Sequence, residues 1–409
     1  METLHERCAG LDVHKDTVVA CVRIASGRSA QREVKTFATT TSGLLELHDW
    51  MQSCEVTHVA MEATGIYWKP VWHLLEDSFA LILANASHIK AVPGRKTDIN
   101  DATWIADLLA HGLIRASFVP PTPIQELRDL TRLRKQLVRE RTRHVQRIQK
   151  ALEDANLKID SYISDLLGKS GRAVLNAIVE GYTNPEVLVN LTAGRLKASR
   201  AELLEALRGR ITKHHRFLLK LHLRQIDQID NAIAELEAQA RTAIEPFRHR
   251  VEQLTAIPGI SEVSAHVVLA EIGHDMSVFP SASQLLSWAG LCPRSDESAG
   301  KRRSTRIRHG APWLKTTLVQ IAWPAVRAKN SYFRALFHRL KARRGPKKAI
   351  VAVAASILTT IYHMLRDGTV YEDLGPNHFD QLNRHRAANS LVRRLNALGF
   401  DVDLRPAAA

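Results

Sequence analysis

Cysteine is scarce in this chain of 409 residues: Cys8, Cys21, Cys54 and Cys292 are all it has, and no two form a C-x-x-C pair. That spacing argues against a zinc ribbon, and Cys8 and Cys21, set in apolar strand-like runs, read as buried thiols in a reducing compartment. There is no P-loop, which argues against ATP hydrolysis, and no His-x-His pair for a nicking relay. The opening residues METLHERC lack the charged-then-apolar layout of a signal peptide. Long apolar runs are missing too, apart from Ala349 to Leu365, which is barely long enough for a bilayer and carries His363. It reads as a buried core helix of a soluble, intracellular protein with no membrane partner. Acids are also in short supply, 42 against 57 lysines and arginines, and the resulting charge of +15 points to a polyanionic partner.

The few acids near the start are arranged in a telling way. Asp12 interrupts the β-branched run CAGLDVHKDTVVACV, where a buried, unpaired charge would be costly. Glu62 ends a second such run, THVAMEATG, and Asp98 and Asp101 lie three apart in KTDINDATWIADLLA, a segment of helical period. Acids at the ends of two buried strands and an i, i+3 pair on one helix can converge on a point. Ligands that are all oxygen suit Mg²⁺ or Mn²⁺, the ions of phosphoryl transfer.

Periodicity divides the chain. Residues 8–26 read as two strands around a turn near His14–Asp16, and 31–38 as a third. Helix 42–53, capped by Thr41 or Ser42, strand 56–62, helix 66–78, strand 80–84 and a helix from about 98 to 112 follow. This order implies an α/β layer with a mixed sheet over residues 1–120. Tyr67, Trp68 and Trp72 read as core, with base stacking as the alternative. Residues 121–248 read as helical, with long helices near 124–155 and 212–243. Leu219, His222, Ile226, Ile229, Ile233 and Leu236 recur at spacings of three and four, a coiled-coil seam. Residues 249–368 form a further helical domain, in which LTAIPGISEVSAHVVLAEIG reads as a helix-hairpin-helix-like element turning at Pro258-Gly259. The tail, 369–409, reads as loosely ordered.

Two basic regions are candidates for phosphate contact. The first long helix carries Arg132, Arg134, Lys135, Arg139 and Arg143, with too few acids in the same helix to pair them. The loop 294–309 holds Lys301, Arg302, Arg303, Arg306 and Arg308, beside Ser295, Ser298 and Ser304. A serine there has room to meet a phosphodiester and cations to stabilise the transition state, but composition does not choose among the three. Gly259, in its hairpin, would let backbone N–H groups reach a phosphate.

Taken together, GLDVHKD, AMEATGIYW, KTDINDA, IPGIS, SWAGLCPR and ESAGKRRSTRIRHG resemble the DEDD-type insertion-sequence transposases, related to Piv-type site-specific invertases. The resemblance covers about residues 8–120 and 250–368. It implies a RuvC-like, RNase H-type N-terminal domain in which Asp12, Glu62, Asp98 and Asp101 are the four metal-binding acids. It further implies a C-terminal serine that attacks DNA, matched here by Ser298. Also implied are a guide RNA from the element, DNA partners at element ends and target, and a homo-oligomer, dimer or tetramer, in the bacterial cytoplasm at the nucleoid. Within that oligomer the acids of one subunit and the serine of another would share a site. The larger helical insert, about 156–212, departs from shorter members. The rival expectations are a RuvC-like junction-resolving endonuclease that uses metal-activated water, and a non-catalytic nucleic-acid scaffold.

Overall fold

The computed structural model describes residues 3–26, 29–63, 65–85, 89, 100–193, 198–293, 296–298, 300–304 and 306–404. The chain divides into two compact units, Met1–Val119 and Pro120–Ala409.

In the first unit, β1 (Arg7–Val13), β2 (Thr17–Ser26) and β3 (Ser29–Ala38) form an antiparallel meander. Helix α1 (Thr41–Ser53) follows, then β4 (His58–Glu62), α2 (Trp68–Leu75) and β5 (Ala80–Ala84). The sheet runs β3-β2-β1-β4-β5, with β4 parallel to both β1 and β5. The two inner parallel strands are apolar on both faces because both are covered. Ala9, Leu11, Val13, Val59 and Met61 meet α1 and α2, while Cys8 and Ala60 face α3 (Asp101–Ala110) through Ile105, Leu108 and Leu109. Burial pushes the Cys8 thiol up to about 11, as expected of an inert core cysteine. The edge strand β3 stays polar, with Arg32, Glu33 and Lys35 exposed, which blunts it as a template for pairing.

Gly10 decides how close α3 comes. A Cβ there would lie 2.3 Å from both the Ala102 carbonyl oxygen and the Ala106 nitrogen. The helix therefore rests on the bare backbone of β1. Asp107 ties the same helix sideways, 3.1 Å from Arg23 on β2 and 2.8 Å from Arg32 on β3. Two expectations shift at helix starts. The cap of α1 is Thr40, which accepts the Gly43 N–H, one residue before Thr41. Helix α3 begins at Asp101, because Asn100 is extended (ψ 140°) and its side chain accepts the Ala102 N–H.

The second unit opens with α4 (Thr122–Asp154), followed by α5 (Ile159–Tyr162), α6 (Lys169–Glu180), α7 (Pro185–Asn190) and α8 (Arg200–Ala206). The long α9 (Lys213–Ile244) returns antiparallel to α4, with Arg134–Glu237, Arg141–Asp230 and His144–His222 pairs along it. The insert, α5 to α8, has its own core at the far end of this pair: Leu175, Ile178, Leu188 and Leu203 pack with Ile148, Leu152, Leu219 and Leu223.

Next come α10 (Arg248–Thr255), α11 (Glu262–Ile272) and α12 (Ala282–Ala289), then β6 (Asp296–Ser298) and β7 (Lys301–Ser304). Helices α13 (Pro312–Ala325), α14 (Tyr332–Arg344) and α15 (Pro346–Asp367) complete this part. By length and composition α15 alone among the described helices could cross a membrane, yet Val353, Ala354, Ile357, Leu358 and Ile361 are fully buried inside the unit. Where a loop was expected at 294–309 a short hairpin forms. The described part of the tail carries two helices, α16 (His378–Leu382) and α17 (Arg384–Ala397). Leu391, Leu395 and Leu398 at helical spacing, with Gly399 as the stop (φ 92°), account for the second of these.

Candidate active site and nucleic-acid interface

Asp12 is the sixth residue of β1, two beyond Gly10 and so on the same face, the one against which α3 lies. Glu62 is the last residue of β4. Leu11 pairs with Met61 and Gly10 with Ala60, so Glu62 stands beside Asp12 at the carboxyl ends of adjacent parallel strands. Ala60, two residues before Glu62, packs on α3, which puts Glu62 on that face as well. Asp101 is the first residue of α3, where the free N–H groups and dipole of the helix start favour an acid. Strand register and helix packing thus bring three of the four expected acids to one face and one end of the sheet. Asp98 lies outside the described residues.

The Asp12 carboxylate is partly exposed and sits 3.3 Å from the His14 imidazole, in the turn that follows β1. Among the described residues no group of three or more His, Cys, Asp or Glu side chains is close enough to hold a metal ion. Asp12, Glu62 and Asp101 are all carboxylates, donors that suit a hard divalent cation.

In the hairpin, Ser298 ends β6 and pairs with Lys301, with Gly300 (φ 72°) in the turn between them. Ser295 lies outside the described residues. Ser304 accepts the Arg306 backbone N–H at 3.2 Å, and Lys301, Arg306 and Arg308 are exposed. Arg302 and Arg303 lie on β7. The base of the hairpin is clamped by Gly290 against Gly310, where a Cβ on Gly310 would fall 2.3 Å from the Gly290 nitrogen. Lys315 closes the clamp by donating to the Arg308 and His309 carbonyls.

The basic helix departs from expectation. Arg132 makes a bidentate pair with Glu271, both bonds 2.8 Å, and Arg134 pairs with Glu237 at 2.6 Å. Glu271 is only 1% exposed, and Arg128, pulled down to about 10 by its own burial, also faces it. The shortage of acids within α4 is met from α11 and α9, so Arg132 and Arg134 are structural ion-pair partners first. Lys135 and Arg139 are less committed. Burial lowers the Lys135 ammonium, and the Arg139 charge beside it lowers it further. Arg143 is exposed.

Trp313, at the start of α13, escaped the sequence reading. Arg132, Lys135 and Arg139 lie 5.6, 5.6 and 5.4 Å from its ring centre. The signal that could have revealed them is their spacing, three and then four residues, which makes one stripe along α4. Next to this stripe a cavity of about 350 Å³ is lined by Arg134, Lys135, Gly259, Ser261, Ser264 and Thr317. Gly259 (φ 90°) also lets the turn touch α13, since a Cβ there would lie 2.6 Å from the Ile321 carbonyl oxygen.

Comparison with known proteins converges on one family. A DEDD-type IS110 family model described as a transposase matches residues 9–156, and a second, described as Transposase IS116/IS110/IS902 family, matches residues 251–338. A probable family 20 transposase of Pseudomonas aeruginosa is 26% identical over 80% of this chain and 89% of its own length. The pilin gene-inverting protein of Moraxella bovis is 24% identical over 89% and 97%. The transposase for insertion sequence element IS1111A of Coxiella burnetii is 24% identical over 78% and 80%. With strand-end acids in a mixed sheet, a helical second unit and both family matches in agreement, the chain belongs to the IS110-type transposases.

Proposed function

We propose that this DNA-processing enzyme cuts and rejoins DNA at the ends of an insertion sequence and at its target through a serine–DNA ester. The observation that carries the reading is the shared face of Asp12 and Glu62 with Asp101 at the start of the helix packed there. Asp12, Glu62 and Asp101, with Asp98, would hold Mg²⁺ or Mn²⁺, which when bound offsets charge on a scissile phosphate. Ser298 is the nucleophile. Its Oγ bonds to phosphorus as the bond to one deoxyribose oxygen breaks, and its proton leaves with that oxygen. One phosphodiester is exchanged for another, so rejoining needs no ATP.

The remaining assignments belong to the same reading. Residues 1–120 are the RuvC-like catalytic domain, 121–248 a coiled-coil and insert region, and 249–368 the serine-bearing domain with its helix-hairpin-helix-like turn. Lys135, Arg139, Arg143, Gly259, Lys301, Arg302, Arg303, Arg306 and Arg308 contact nucleic-acid backbones, and Arg132 and Arg134 would join them only by exchanging Glu271 and Glu237 for phosphate. The enzyme works as a homo-oligomer with an element-encoded guide RNA.

The decisive experiment compares Ser298→Ala with Asp12→Asn on DNA carrying an element end. Wild type should yield a protein–DNA adduct after denaturing quench, Ser298→Ala neither adduct nor cut, and Asp12→Asn neither. Cleavage that persists in Ser298→Ala without a trappable adduct would establish the water-using endonuclease instead. Sequencing of copurified RNA tests the guide: an absence of enriched element transcripts would remove it.

A further inference from the structure

Between Glu297 and Asp367 the sequence has no acid at all, against sixteen lysines and arginines. Half of these fall between Lys329 and Lys348, on α14 and its flanks, outside the site described above. They differ from the arginines of α4 in the respect that decides their use. Arg132 and Arg134 are met by Glu271 and Glu237 from other helices. Lys329, Arg334, Arg339, Lys341 and Arg344 are all exposed, and among the described residues no acid forms an ion pair with any of them. Asp373, which touches the start of α14, is taken up by the backbone N–H groups of Tyr332 and Gly375 and by the Tyr371 hydroxyl. Arg339 and Lys341 lie 4.8 and 5.9 Å from the ring centres of Phe379 and Phe337, contacts that hold a cation without cancelling its charge.

The arrangement is concave as well as cationic. A cavity of about 390 Å³ at the start of α14 is lined by Lys329, Ser331, Arg334 and His338, with no acid among the described residues of its wall. The helix start itself adds little, because its N–H groups are engaged. Tyr332 donates to Asp373, Arg334 to the Ser331 hydroxyl and Ala335 to the Ser331 carbonyl. The attraction is therefore that of the side chains. From Arg334 through His338 to Lys341 the spacing is four and then three, one stripe running from the cavity for about 10 Å. One strand of a duplex carries about three phosphates over that length. A surface charged for solubility alone mixes both signs, and this one has a single sign.

We propose that the cavity at Lys329, Arg334 and His338, with the stripe that runs from it to Lys341, seats the phosphodiester backbone of a nucleic acid without reading its bases. The proposal rests on the nucleic-acid reading above and adds a seat separate in sequence from α4 and from the 296–304 hairpin. Contacts of this kind set register and affinity, not sequence choice.

Salt titration of binding by the full-length protein tests it, with a DNA duplex and an RNA hairpin as separate probes. In a variant combining Lys329→Gln, Arg334→Gln and Lys341→Gln, the slope of log affinity against log salt should fall by about 2.7 for the duplex. The control removes equal charge from exposed positions on α9, as Lys213→Gln, Lys220→Gln and Arg224→Gln, and should keep the wild-type slope. Acetylation of wild-type lysines, read by mass spectrometry, needs no variant to fold. A bound probe should shield Lys329 and Lys341 and leave Lys213 and Lys220 reactive. A fall or shielding confined to one probe supports the seat and names its source, DNA or RNA. An unchanged slope in the first variant overturns the proposal, as does an equal fall in the control or full reactivity of Lys329 and Lys341 under bound probe. Wild type that binds neither probe would defeat the nucleic-acid reading as a whole, whereas binding with an unchanged slope defeats only this surface.

Discussion

Replacing Gly10 with Ala tests whether the seating of α3 on β1 sets the catalytic geometry. The added methyl would lie 2.3 Å from two backbone atoms of α3, whereas ordinary contact begins near 3.4 Å. Neither neighbour is a flexible side chain, so the helix must retreat by roughly an ångström or β1 must bend. Overpacking of this kind costs about 1–3 kcal/mol. The functional loss should be larger in kind, because Asp101 rides on the displaced helix and Asp12 on the strand; a misplacement of ~1 Å lowers rates about 100-fold. Urea denaturation gives the first quantity and single-turnover cleavage of an element-end duplex the second. Leu47→Ala is the control. That side chain is fully buried on the opposite face of the sheet, and its loss should cost about 2–5 kcal/mol without moving α3. If Gly10→Ala, assayed where both variants are folded, cleaves no worse than Leu47→Ala, the seating argument is wrong.

Three other outcomes are expected. Glu271→Ala leaves Arg132 and Arg128 without their buried acid and should destabilise the protein by about 3–5 kcal/mol in urea titrations, with Glu271→Gln closer to wild type. Arg139→Ala should reduce the salt dependence of DNA binding by about one unit of slope, whereas Trp313→Ala should weaken binding and leave the slope unchanged. Equal slope changes for the two would show that Trp313 acts only by holding the cations. His144 and His222 lie 3.2 Å apart across α4 and α9, and both are held below the ordinary 6.5, chiefly by desolvation and then by neighbouring positive charge. The unfolded chain therefore binds protons first, so the stability these residues contribute is present above about pH 6.5 and is lost as pH falls below it. Thermal melting at successive pH values should show that decline, less steep in His222→Asn; parallel declines would contradict it.

Much of the first unit was legible because its signals are local. A β-branched run broken by Asp12, a second run ending in Glu62 and a capped amphipathic segment each report on a few neighbouring residues. Strand pairing then placed the acids with no further information. The start of α3 also has a local cause: the Asn100 side chain accepts the Ala102 N–H, which makes Asp101 the first helical position. The ion pairs of Arg132 and Arg134 were hidden because their partners are remote. Glu237 and Glu271 lie 103 and 139 residues further on, and no count of acids within one helix can see them. The 296–304 hairpin was hidden differently, since a strand pair built from DES and KRRS has none of the apolar alternation by which strands are recognised.

The position of Asp12 and Glu62 at the ends of paired strands has a consequence for how this enzyme can change. Their side chains are aimed by the ladder itself, not by the segments of chain that follow each strand. Those segments can be lengthened, shortened or rewritten while the carboxylates hold their aim. A single residue inserted between Gly10 and Asp12 would do the opposite, turning the acid into the α1–α2 core and silencing the site in one step. The rim of the sheet is therefore free to vary, while its interior tolerates no change of phase.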